Sequence, residues 1–185
     1  MNSAILIFKL SKKRSSDINC WLLKKGRDMS NSEVAAQLFQ NGCACSQAVL
    51  VVYGESLGLS KKMAMQIAAG FAGGMRLGET CGAVTGAFMV IGLRYASEAC
   101  DTVAGRANIY ARVIEFANKF QKLNGSITCR TLLGYDISNP EGMKQAHERN
   151  LFKTTCVKMV QDAVVILDEM EMMTESQKVH AANRP

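Results

Sequence analysis

The chain has 185 residues, 48% of them hydrophobic, enough for a single domain around one core. Seven cysteines are too few, and an odd number, for a small secreted disulfide scaffold. The net charge of +6 sits mostly before Met29, where seven Lys and Arg face only Asp17 and Asp28, and the near-neutral remainder argues against nucleic-acid binding.

Residues 1–28 read as a basic leader, either disordered or an upstream extension of the true start, and they are expected to add little to the fold. The opening MNSAILIFKL is too short for a signal-peptide core, and no small-residue cleavage site follows it. With no export signal, the thiols read as cytoplasmic and reduced. The domain proper spans 29–175, with a frayed tail over 176–185. Only two prolines and no period-2 run of β-branched residues leave an all-α fold, a single-domain bundle of about five to seven helices.

A first helix is predicted from about Ser32 to Asn41, with Gly42 in the stop position. A second follows from Cys45 to Leu57, ending at Gly58. Ser60 caps a third, KKMAMQIAAGFA, which breaks at Gly73-Gly74. GGMRLGET is a glycine-rich loop, with Thr80 as the expected cap of a fourth helix over 81–97. That segment's apolar run stops at Arg94, short of a membrane span. A long fifth helix runs from Asp101 to about Leu123. Its stripe of Val103, Ala107, Tyr110, Ala111, Ile114 and Ala117 reads as core or as the seam of a homodimer. Cys129 lies in a short turn, Asn139-Pro140-Glu141 starts a small helix, and the last long helix covers about 153–172.

On this map Cys45, Cys81 and Cys129 stand at or near helix starts, and Cys156 lies in the first turn of the last helix. Helix N-termini offer free N–H groups and a partial positive charge, so depressed thiol pKa values are expected there. Any one buried cysteine is most often an inert apolar filler, but four at helix starts weaken that reading. Gly73, Gly74 and Gly78 let main-chain N–H groups approach a sulfur closely, while Gly82 and Gly86 share one helix face. Arg76 and Arg130 flank two of the cysteines and read either as thiolate partners or as solvated cations. Cys43 and Cys45 form a CxC pair. The abundant methionines read as core rather than as a metal box.

The segments FQNGCACSQAVL, AAGFAGGMRLGETCGAVTGAFMVIGL and CRTLLGYD, with the late Cys156, resemble the family of redox-active proteins named for a Cys…CGAxxG…Cys…Cys pattern. The same domain forms the C-terminal part of split-Soret cytochromes. The resemblance covers about residues 32–170 and implies that Cys45, Cys81, Cys129 and Cys156 act as one redox unit. Ala44 stands where the family usually has Asn, and Cys43 where it usually has an aromatic residue. Cys45 is taken as the family cysteine because Ser46-Gln47 follows it. In the split-Soret relatives the domain accompanies an iron–sulfur centre, which implies a cluster here, of the [2Fe–2S] type, with electron transfer to an unnamed redox partner. Gly73, Gly74, Gly78 and Gly82 would border that cofactor. No CxxCH occurs, which excludes covalent c-type haem. Two other readings stay open: metal-free thiol–disulfide chemistry, and a structural zinc or helical interaction module. No separate catalytic residue is expected.

Overall fold

The computed structural model describes residues 28–96 and 100–182. Local side-chain capping decides where half of its helices begin. Ser30 and Glu33 form a reciprocal capping box at the start of α1 (Asn31–Gln40). The second helix, α2 (Cys45–Gly54), follows Ala44, which has no capping side chain; Gln47 Oε1 accepts from the Ala44 N–H at 2.9 Å instead. A tight turn, Glu55–Leu57, closes at Gly58 before Ser60 caps α3 (Lys61–Ala68), whose last turn tightens over Ala69–Phe71. Next come α4 (Gly82–Tyr95), α5 (Val103–Asn124) and the five-residue α6 (Cys129–Leu133). Asn139 and Pro140 start α7 (Pro140–Glu148), and α8 (Thr155–Ala182) is the last described helix. The described residues thus hold eight α-helices and no strand, an all-α domain. None is long and apolar enough to cross a membrane.

The main core forms where α2 packs on α4 and α1 lies along α8. Val49, Leu50, Val84, Ile91, Phe116 and Leu167 fill it. Asp168 on α8 accepts from Tyr53 Oη at 2.7 Å and from Asn31 Nδ2 at 2.9 Å, tying α1 and α2 to α8. A second, smaller apolar cluster of Leu133, Ile137 and Ala146 lies beneath α6 and α7.

Several sequence expectations change. Thr80 does not cap α4; Cys81 holds the N-cap position, and Thr80 instead forms an isolated antiparallel bridge with Thr128. The pairing is non-local, so no local signal could announce it. The α5 stripe is not core, because Val103, Tyr110 and Ile114 are 79%, 58% and 59% exposed. The helix is docked through Phe116 and Phe120, one edge over from that stripe. Its cap is Thr102, whose Oγ1 accepts from the Gly105 N–H at 3.0 Å, rather than Asp101. Finally, α8 continues ten residues past Met172 to Ala182, since neither Gly nor Pro interrupts it. All but Asp28 of the expected leader lies outside the described residues.

Candidate thiol centre

The two apolar clusters meet at one cavity of about 160 Å³, and each contributes two thiols to its wall. Cys45 and Cys81 come from the main core, Cys129 and Cys156 from the smaller cluster. All four are free. Phe39, Leu133, Ile137, Phe152 and Met159 make most of the remaining wall, which is apolar, and among the described residues Arg76 is the one charged side chain lining it. Cys43 packs in the main core and does not line the cavity, so the CxC pair contributes only Cys45. Cys100 is exposed, away from the cavity lining.

Each thiol is positioned by a different piece of fold. Gly82 lets α4 approach α2: a Cβ there would fall on Cys45 Sγ and lie 3.1 Å from Ala72 Cα. Gly86 does the same one turn on, where a Cβ would come 2.7 Å from the Ser46 carbonyl oxygen. Cys81 and Cys129 are drawn together by the Thr80–Thr128 bridge: the Cys81 N–H donates to Ile127 O at 2.8 Å, and the Cys129 N–H donates to Glu79 O at 2.6 Å. Cys156 enters with the first turn of α8, its N–H bonded to Leu151 O at 3.0 Å.

The glycine loop is a left-handed turn. Residues 73–76 all have φ between 55° and 62°, including Met75 and Arg76, which carry side chains. Left-handed geometry costs roughly 1–2 kcal/mol per non-glycine residue. The surrounding structure holds it in place: Arg130 Nη2 donates to Leu77 O at 2.9 Å, Arg130 Nε donates to Gly78 O at 3.2 Å, and the guanidinium pairs with Glu79. Arg130 is therefore a clasp on the loop, a role the sequence could not distinguish from a solvated cation. Of the four glycines expected at the site, Gly73 lines the cavity and Gly82 backs Cys45, while Gly74 and Gly78 shape the turn.

Burial reverses the expected thiol electrostatics. It pushes Cys129 up to about 11 and Cys156 up to about 12, from an ordinary 9.0. Cys81 is raised well above 9.0 by burial and then by the neighbouring Cys45 sulfur. The Ala83 N–H offsets little of this and completes no capping hydrogen bond. Cys45 is also raised by burial, although the N–H groups of Gly73, Ser46 and Gly82 face its sulfur and pull it back. Helix-start dipoles lose to desolvation here. Among the described residues, no three His, Cys, Asp or Glu side chains are gathered so as to hold one metal ion.

The unfolded chain releases the Cys129 and Cys156 protons above pH 9, whereas the folded chain keeps them to about 11 and 12. Stability present below pH 9 is therefore lost as pH rises through that window, by about 1.4 kcal/mol per thiol for each unit of separation. Urea midpoints of metal-free protein at pH 8 and pH 10.5 should fall accordingly, and equal midpoints would contradict the burial of these thiols.

A protein-family model described as "Putative redox-active protein (C_GCAxxG_C_C)" matches residues 43–170. The chain belongs to this family. The match spans Cys45, Cys81, Cys129 and Cys156, so all four cavity thiols of this redox-active family member lie inside it. No curated protein and no solved structure matches the chain.

Proposed function

We propose that this redox-active family member is a small cytoplasmic electron carrier whose Cys45, Cys81, Cys129 and Cys156 together hold an iron–sulfur cluster of the [2Fe–2S] type. The observation that carries this reading is the convergence of four free thiols on one otherwise apolar cavity. The residues fit such a group. The donor set is all sulfur, which suits iron–sulfur clusters, and N–H groups facing Cys45 suit a sulfur carrying negative charge. The cluster type rests on the likeness to split-Soret domains. When bound, the group supplies one-electron redox chemistry.

The chain's own residues would do the rest. Phe39, Ile137 and Phe152 exclude water, the left-handed turn brings the Gly73 N–H to Cys45, and the Arg130 clasp holds that turn in place. A single zinc needs four sulfurs at about 2.3 Å from one point, and the described residues offer no such set. A [2Fe–2S] cluster instead asks for two sulfurs at each of two irons around one cavity.

Anaerobic purification and reconstitution with iron and sulfide should give a coloured protein with about two iron and two sulfide per chain. Colourless, iron-free protein would sink the reading. Stoichiometric zinc would favour a structural site, and thiols lost in pairs on graded oxidation would favour disulfides.

A further inference from the structure

Two features set Arg76 apart. Among the described residues it is the one charged side chain lining the four-thiol cavity, and it is itself exposed, so it stands at the mouth. Its backbone is left-handed, with φ 62° and ψ 5°, a conformation that favours glycine. Strain of this kind persists only where the surrounding structure imposes it, and such residues cluster at functional sites.

The side chain does not answer to a carboxylate. Among the described residues Arg76 makes no hydrogen bond and no ion pair. The acids at the end of the turn are committed elsewhere: Glu79 pairs with Arg130, and Asp136 accepts from the Ser138 N–H at 3.0 Å and lies 3.9 Å from Arg130. Arg76 instead folds back along the turn. A Cβ on Gly73 would lie 3.8 Å from Arg76 Cδ and 4.0 Å from Arg76 Nη1. Gly73 also lines the cavity, and its N–H faces the Cys45 sulfur, so the guanidinium borders the residue that reaches a cavity thiol.

We propose that Arg76 is the charge-setting residue of this cavity: it favours negative charge among the four sulfurs and thereby raises the reduction potential of the centre they hold. The proposal rests on the electron-carrier reading given above. Reduction adds one electron, and so one negative charge, to a site that thiolates already make anionic, and net charge is among the properties that set such potentials. The electron comes from the reductant, which is oxidised, and no bond forms or breaks. The wall around the sulfurs is otherwise apolar, which weakens screening. A unit charge bordering such a site is worth about tenfold in an equilibrium between two charge states.

The test compares wild type with Arg76→Gln, which removes the charge, and Arg76→Lys, which keeps it. In the reconstituted full chain, titrated with dithionite, Arg76→Gln should lower the one-electron potential by about 59 mV, a tenfold change in equilibrium constant. Its iron and helical content should match wild type, and Arg76→Lys should recover most of the shift. A second measurement uses the reduced, metal-free chain and follows alkylation by anionic iodoacetate relative to neutral iodoacetamide, residue by residue. That ratio should fall about tenfold at the cavity cysteines of Arg76→Gln and stay unchanged at exposed Cys100. An intact Arg76→Gln centre with wild-type potential overturns the proposal, as does an unchanged alkylation ratio. Equal shifts in the two variants assign the effect to packing rather than charge and overturn it as well. If wild type takes up no iron or sulfide, the electron-carrier reading falls, while the alkylation ratio still decides whether Arg76 sets the charge of the cavity.

Discussion

Serine in place of Cys81 should cut iron and sulfide incorporation to background while leaving the helical content unchanged. Cys81 is 6% exposed and electrostatically coupled to the other three cavity sulfurs, so it is the member whose loss opens the whole set. A hydroxyl is a far poorer ligand for iron than thiolate and cannot enter a disulfide. The fold is protected because Cys81 is the N-cap of α4 without a capping hydrogen bond, and serine is among the best N-cap residues. Metal analysis and far-ultraviolet circular dichroism check the two halves separately. Full iron content in the Cys81→Ser protein would make that cysteine structural, and the same change at exposed Cys100 should alter neither measurement.

Two glycine-to-alanine changes on the single helix α4 should move stability in opposite directions. At Gly82 the new methyl lands on Cys45 Sγ and crowds the Ala72 and Phe71 backbone, which cannot swing aside. Overpacking of this kind costs about 1–3 kcal/mol, and it should also displace Cys45 from the cavity. At Gly92 nothing lies within 4 Å of the added atom, so relief of backbone entropy should stabilise by about 0.5–1 kcal/mol. Urea unfolding of both variants, with iron loading of each, reads the contrast. Equal effects at the two positions would show that α4 is not seated against α2 as described.

The helical architecture was legible because its punctuation is local. Ser30, Ser60 and Asn139-Pro140 open helices, and Gly58 and Gly125 close them, all by chemistry within a few residues. The gathering of Cys45, Cys81, Cys129 and Cys156 was also legible, from four cysteines at helix starts and the family resemblance. What stayed hidden depends on distant partners. Thr80 looked like a cap until Thr128 claimed it, and the apolar stripe of α5 read as core or as a homodimer seam, of which its exposure removes only the first, because periodicity cannot say which face is docked. The thiol pKa values were misjudged for a related reason: the helix start is local, but the burial that outweighs it comes from side chains on other elements.

The bridge between Thr80 and Thr128 also sets an order of events. It joins segments separated by the whole of α4 and α5, and with it Cys81 reaches Cys129. Cys45 reaches Cys81 only once α2 and α4 have docked, and Cys156 arrives with the last helix. Every meeting of thiols is therefore a long-range one, and such contacts close late in folding. A chain still emerging from the ribosome can wind its helices one by one, yet it cannot offer four sulfurs until α8 is out and seated. For the proposed cluster, loading would wait until α8 is seated, and colour bleached by denaturant should then disappear with the last cooperative unit rather than ahead of it.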